Sequence, residues 1–347
     1  MAKATELLTG VLLVNLGTPD SPETPDVRKY LREFLMDWRV IDIPYPNRLL
    51  LVNGIIAPFR APKSSKVYKK LWTERGSPLL FYGEDLRDIL QKELGKNYVV
   101  TLGMRYQNPS IESAIEELRN KAVDKIVVLP LFPQYASAST GSVVEKVMNI
   151  VKEWQVIPSL NFINRFADDE LFIKTLVTLA KQHTDKEKFD HFIFSYHGIP
   201  ETQILKASCD NYCQLNDKCC SVYHKKNRYC YRAQCFETSR LLAEGLGLTP
   251  DQYTVCFQSR LQARLKDPWL KPYTDEVIAE LPKQGIKRVL AFSPAFVADC
   301  LETTIEVGEE FDEIFKHAGG ERWQLVESLN THPVWVDAVK QMVLRNS

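Results

Sequence analysis

The chain has 347 residues, enough for about two domains of ordinary size. Its 44 basic residues balance 44 acidic ones, and a hydrophobic share of 45% is ordinary for a soluble globular chain. This balance, with no basic run or aromatic-interleaved basic stripe, argues against nucleic acid as a partner. No stretch reaches the roughly 20 apolar residues of a membrane-spanning helix. The opening Met1-Ala2-Lys3-Ala4-Thr5-Glu6 is not a secretory signal, because the apolar run from Leu7 is broken at Gly10 and reads on as a strand. The expected location is the cytoplasm, where clustered cysteines favour a metal centre over disulfides.

The first strand is expected at Val11–Asn15. Ile41–Pro62 then interrupts the pattern with an apolar stretch that carries four prolines and is too short to span a bilayer. It reads either as a loop-helix covering a core or as an apolar lip that admits a greasy ligand and touches a membrane surface. Further strands are expected at Tyr98–Leu102, Ile126–Leu131, Leu160–Ile163, His191–Ser195, Thr254–Gln258, Val289–Ser293 and Gln324–Glu327. Most are almost continuous apolar runs, the pattern of strands covered on both faces. Amphipathic segments at Ser110–Lys121, Asp168–Gln182, Cys235–Glu244 and Thr274–Gln284 lie between them. The alternation predicts an α/β fold of two Rossmann-like, doubly wound halves with parallel sheets. The N-terminal half is expected at residues 1–158. The C-terminal half, 159–347, carries an insertion at 208–234, and its last helix returns to the first half.

In such sheets ligands sit beyond the carboxyl ends of the strands. Polar residues gather at the predicted ends: Asn15 to Thr18, Arg105 and Tyr106, Pro133 to Gly141, His197, and Ser293 to Glu302. Ser137–Ser142 reads either as an anion-binding loop or as a capped helix start. Neither a Walker loop nor a G-x-G-x-x-G fingerprint is present, so the fold does not imply a nucleotide. His197 ends a strand before Gly198 and Pro200, a placement suited to proton abstraction or metal binding; the alternative is a turn histidine that donates to a nearby carbonyl. His224 and His332 read as structural or solvated. Glu302, Glu306 and Glu310 recur every four residues along one helical face. They form either a solvated acidic face or a ladder for a hard divalent cation. Six of the eight cysteines, Cys209, Cys213, Cys219, Cys220, Cys230 and Cys235, crowd into the insertion and its border, and thiolate sets of four suit zinc or an iron–sulfur cluster. Cys256, inside a strand, reads as core.

Several motifs together resemble the ferrochelatases, which insert ferrous iron into a porphyrin to make haem. They are Leu13–Asp20, Gly76-Ser77-Pro78, Met104-Arg105-Tyr106, Pro130–Tyr135, Ser195–Pro200 and Ala298–Thr303; their order and spacing cover nearly the whole chain. The resemblance implies a chelatase-like fold with a tetrapyrrole cleft between the halves and no nucleotide. It implies that His197 and Glu302 are catalytic, with His197, Glu302, Glu306 and Glu310 handling Fe²⁺ as substrate. Arg105, Tyr106, Tyr135, Trp269 and Ile41 fall on substrate-binding positions. The insertion resembles that of bacterial members with an internal [2Fe–2S] cluster held by four of the six cysteines, Cys235 ranking last. Tyr196, Phe132 and Cys300 depart mildly from common family residues. The start and the Ala298–Thr303 segment look more like members that use protoporphyrin than those that use coproporphyrin. A peripheral contact with the inner face of a membrane goes with the lip. The rival readings are a chelatase for another tetrapyrrole or metal and a non-catalytic iron–sulfur or tetrapyrrole-binding sensor.

Overall fold

A computed structural model describes residues 7–208, 211–216, 218–260 and 268–347. It contains two four-stranded parallel sheets. The strands are β1 (Thr9–Gly17), β2 (Tyr98–Tyr106), β3 (Lys125–Pro130), β4 (Ser159–Phe162), β5 (His191–His197), β6 (Tyr253–Gln258), β7 (Arg288–Phe292) and β8 (Arg322–Leu325). The orders are β2-β1-β3-β4 and β6-β5-β7-β8, so the same winding occurs twice. All eight strands overlap the apolar runs that predicted them, β8 beginning two residues before its expected start at Gln324, and the paired strands are parallel throughout.

The chain divides into two units. One comprises residues 1–132, 137–165 and 335–347; the other comprises 133–136 and 166–334. The first unit runs through Arg165, with β4 paired to β3 at the edge of the first sheet. The last stretch, from Trp335, groups with the first unit.

In the first unit Val11, Leu12, Leu13 and Val14 of the central strand are fully buried. Leu12 and Val14 pack with Ile126 and Val128 of β3 and with Ile111, Ile115 and Leu118 of the helix Ile111–Asn120. That helix starts where Ser110 caps the Ser113 amide at 3.1 Å. Gly17 ends β1 at a φ of 116°, and a Cβ there would meet the Tyr106 carbonyl oxygen at 2.0 Å. Only glycine fits that close approach.

The proline-rich segment is helical from Tyr45 to Leu71, with a π-turn at Leu51–Ile56 between two α-helical stretches. Its buried stripe of Arg48, Val52, Ala57, Ala61 and Ser65 supplies Val52 and Ala61 to a core with Val27, Leu31 and Tyr106. Tyr45, Leu49, Leu50, Ile55 and Phe59 remain exposed, Leu50 and Phe59 by more than 70%. The segment therefore covers a core with one stripe and presents exposed apolar side chains with the other. Among the described residues no helix is long and apolar enough to cross a membrane.

In the second unit Ile193, Cys256, Val289 and Ala291 form a core with Ile278, Val307, Phe311 and Phe315. Cys256 is fully buried there.

Candidate active site and cysteine pocket

In the second sheet the winding reverses between β5 and β7, and the crevice beyond their carboxyl ends is where doubly wound sheets hold ligands. His197 is the last residue of β5 and lies opposite Gln258, the last residue of β6. Its Nδ1 lies 2.6 Å from the Gly198 carbonyl. A carbonyl only accepts, so Nδ1 carries the proton and the basic lone pair of the neutral ring is at Nε2. The Gly198 amide donates to the Gln258 carbonyl at 2.8 Å. A Cβ on Gly198 would meet that same oxygen at 2.9 Å and the Trp269 ring at 3.3 Å, which places Trp269 against the turn after His197.

Glu302, Glu306 and Glu310 lie on one π-helical stretch, Leu301–Glu310, after β7. Such stretches occur often at functional sites. Glu306 accepts the Ser259 amide at 2.8 Å and the Gln258 side-chain amide at 3.2 Å, and also accepts the Ser259 hydroxyl. The Gln258 amide donates to the Glu302 carbonyl as well, at 3.1 Å. Burial pushes the Glu306 carboxyl up to about 7, against the Ser259 hydrogen bonds and with help from neighbouring Glu302. Ser259 holds a φ of 61°, a left-handed conformation uncommon for serine. Its amide and hydroxyl both reach one carboxylate. Cys300 is buried beside Glu302, and burial followed by that carboxylate raises its thiol. Glu310 is exposed at the far end of the row.

Tyr135 lies in the second unit, its amide donating to Gln234 at 2.8 Å and its ring edge-on to Tyr229 at 6.0 Å. The first unit holds Arg105 and Tyr106 at the end of β2. Arg105 donates to Asp37 at 2.7 Å and to the Ser142 hydroxyl at 2.6 Å, and its guanidinium covers the Tyr106 ring at 4.5 Å. Tyr106 is fully buried and donates to Asp37 at 2.9 Å. Burial, with Asp37 adding to it, pushes its hydroxyl well above the usual range.

Tyr106 is 0% and Ile41 3% exposed, and both pack in one core. Tyr106 donates to Asp37, and the Ile41 carbonyl receives buried Arg48 at 3.1 Å. Ser137–Ser142 is a helical turn running into the helix Ser142–Val151, and Ser142 is spent on Arg105 and Asp37.

The cysteines form a separate centre in the second unit. Cys213, Cys219, Cys220 and Cys230 line one pocket together with Ser208, Tyr212, Lys225, Lys226, Asn227 and Tyr229. The Cys219 and Cys220 sulfurs are 3.8 Å apart. Hydrogen bonding from Cys220 lowers the Cys230 thiol against the opposing effect of burial; Cys220 is raised by the same contact, and Cys213 by burial. All seven described cysteines are free thiols. Cys235 does not line the pocket; it is fully buried beside Tyr231. Cys209 lies outside the described residues. Among the described residues no three His, Cys, Asp or Glu side chains converge so as to hold a single metal ion.

Sequence reasoning did not single out Asp37, Gln258, Ser259 or Tyr231. Gln258 was legible only as the end of a predicted strand. The other three carry no motif signal, because what makes them matter is which buried groups they meet.

The family model for ferrochelatase matches residues 8–347. A ferrochelatase of Legionella pneumophila strain Lens is 46% identical over 96% of this chain and 98% of its own length. One from Coxiella burnetii strain Dugway 5J108-111 is 45% identical over 97% and 93%. Among solved structures, SirB from Bacillus subtilis with Fe3+ superposes with a TM-score of 0.56 at 14% identity, covering 98% of this chain and 96% of that one, which shows a shared fold. With a family model spanning almost its whole length and full-length relatives at this identity, the chain belongs to the ferrochelatase family.

Proposed function

We propose that the chain inserts Fe²⁺ into protoporphyrin IX, yielding protohaem in haem biosynthesis. Family membership supports the chelatase chemistry. The observation that carries the residue assignment is Gln258, which lies opposite His197 in the sheet and hydrogen-bonds both the Glu302 carbonyl and the Glu306 carboxylate. Base and acids are thereby assigned to one crevice of one sheet.

A planar porphyrin keeps two N–H protons and two lone pairs inside its ring, so a metal enters only as the ring bends and the protons leave. Binding energy from the distant ring edges supplies the bending. His197 Nε2, with its single lone pair, takes the pyrrole protons one at a time, releasing the first to solvent before it accepts the second. Glu302 and Glu306 present hard oxygens to the iron, with Glu310 at the solvent end of the row. A Glu306 carboxyl poised near 7 exchanges its proton for metal at neutral pH without a large penalty. Trp269 and Tyr135 serve as apolar ring contacts.

The cysteine pocket fits a [2Fe–2S] cluster in number and softness of donors, with Cys213, Cys219, Cys220 and Cys230 as its holders. Two thiolates sharing one tetrahedral metal at about 2.3 Å stand about 3.8 Å apart, the spacing of Cys219 and Cys220. A two-iron cluster takes its thiolates in pairs, so the four sulfurs need not converge on one point. When bound, the cluster supplies a stabilising crosslink of the insertion. The exposed face of Tyr45, Leu50, Ile55 and Phe59 is assigned to peripheral contact with a membrane.

The test is iron insertion into protoporphyrin IX and coproporphyrin III by the purified chain, with His197→Ala alongside. Protohaem formation that is lost in the variant is expected. A preference for coproporphyrin III would replace the substrate, and porphyrin bound without insertion by either chain would overturn the enzyme assignment.

A further inference from the structure

The helix Tyr231–Leu246 begins directly after a pocket cysteine, since Cys230 is its N-cap residue. Tyr231, the next residue, is 6% exposed, and its hydroxyl donates to the His197 carbonyl at 2.9 Å. That carbonyl belongs to the peptide plane whose other polar group, the Gly198 amide, donates to the Gln258 carbonyl. A trans peptide is rigid, so the plane after His197 is gripped from both sides, by β6 and by the helix. Its orientation fixes where the imidazole points.

The rest of this helix face continues the grip. Ser239 bonds the Tyr196 hydroxyl at 2.8 Å, and Gln234 receives the Tyr135 amide. At the other end, Cys219 and Cys220 pack against Ala233, with Cys230 and Phe236 beside them. The first turn thus touches the cysteine pocket on one side and the end of β5 on the other. Facing a carbonyl, which only accepts, the Tyr231 hydroxyl is the donor of this contact.

We infer that Tyr231 is a positioning residue for His197, through which occupancy of the cysteine pocket sets the placement of the imidazole. The inference rests on the reading of His197 as the base and of the four cysteines as a metal-holding set. Drawing Cys230 toward a metal moves the N-terminus of the helix. Tyr231, one residue away, carries that displacement to the His197 carbonyl without any cysteine approaching the site. Small misplacements of a catalytic group cost large factors in rate.

Two measurements on the full chain test this. In the first, Tyr231→Phe is assayed for insertion with porphyrin varied. A fall in kcat of about ten- to a hundredfold at near-unchanged KM is expected, because the group lost orients the base and does not touch the ring; unchanged kcat overturns the positioning role. In the second, Cd²⁺ alone is titrated into protein free of bound iron while the Gly198 amide resonance is followed by NMR. Cd²⁺ is expected to shift this resonance in wild type and to leave it in place in Tyr231→Phe, with Cd²⁺ still bound by both. The Cys219→Ser/Cys220→Ser chain reports Cd²⁺ bound elsewhere and is expected to show no shift.

A shift of equal size in Tyr231→Phe, or a wild-type pocket that binds Cd²⁺ with Gly198 unmoved, overturns the link while leaving the pocket intact. Failure of Cd²⁺ to bind overturns the link together with the reading of the pocket. Full activity of His197→Ala removes the base from the argument independently of both. The wild-type titration needs no variant, so poor folding of Tyr231→Phe does not shield the inference.

Discussion

Replacing Glu306 by glutamine is expected to change how stability depends on pH, by an amount set by the burial of one carboxyl. In the folded chain Glu306 titrates at about 7, against an ordinary value of 4.5. Below pH 4.5 both folded and unfolded chains hold the proton, and the group contributes nothing to the difference between them. Between pH 4.5 and 7 the folded chain keeps a proton that the unfolded chain releases, so stability falls as pH rises. Above 7 the full penalty stands. At 1.36 kcal/mol per pH unit it amounts to at most about 3 kcal/mol. Glu306→Gln has no such titration. Its amide imperfectly replaces an acceptor of three donors, from Ser259 and Gln258, at a cost of about 1 kcal/mol that is independent of pH. Near pH 5 the variant is therefore expected to match or slightly trail wild type. By pH 8 it overtakes wild type, the difference having moved by up to about 3 kcal/mol. Urea unfolding of both chains at pH 5, 6, 7 and 8, compared as differences, measures this. Parallel curves across that range would refute the account of a carboxylate held against its own desolvation.

Three further outcomes are expected. Gly17→Ala, with its Cβ directed at the Tyr106 carbonyl at a φ of 116°, destabilises the first unit by on the order of 3 kcal/mol. A lowered urea midpoint would show this, and an unchanged one would contradict the close approach. Asp37→Ala leaves Arg105 and the Tyr106 hydroxyl without their shared buried acceptor; about 3–5 kcal/mol of stability is at stake, and Asp37→Asn, which keeps an acceptor oxygen, should lose less in the same unfolding assay. Leu50→Asp combined with Phe59→Asp removes two side chains that are 72% and 73% exposed, and at about 1.5–3 kcal/mol per buried side chain it should weaken retention on anionic phospholipid vesicles at least tenfold. Equal retention would mean that this face does not meet lipid.

Legibility followed how local each signal was. The strands were plain in the sequence because both faces of a parallel sheet are covered and each strand shows as an apolar run; β1 is a case, with four consecutive residues fully buried. The helix Ile111–Asn120 announced itself through periodicity and its serine cap. His197 and Glu302 were findable because strand ends and acidic rows occupy fixed places relative to elements already assigned. The adjacency of Arg105 and Tyr106 in sequence does not show that the arginine stays half-buried while the tyrosine enters the core, with both reaching Asp37. A short fourth strand likewise gives no local sign of which sheet it will extend; β4 pairs with β3. Ser259 was unreadable because its role depends on a left-handed backbone and on a carboxylate 47 residues later.

The polar chain at the end of the second sheet has only one consistent direction. The Ser195 hydroxyl donates to Gln258 Oε1 at 2.6 Å, so its single proton is spent and the Thr274 hydroxyl, 2.8 Å away, must donate to it. With Oε1 thus occupied as an acceptor, the Gln258 amide has no freedom to flip, and its NH₂ faces Glu302 and Glu306. Two donors from Ser259 point the same way. The donors alone would hold Glu306 well below neutrality, and burial beside Glu302 reverses that effect. The opposition leaves a carboxyl that burial raises toward neutrality while its position is fixed by three hydrogen bonds. A freely rotating glutamate of the same affinity for protons would have to be oriented anew each time a cation arrived; this one changes charge without changing place. Converting Gln258 to glutamate would test that distinction, because it preserves the shape while turning the central donor into a third acid. The network would then lose its direction, and Glu306 would be pushed further from ionisation by a second neighbouring carboxylate.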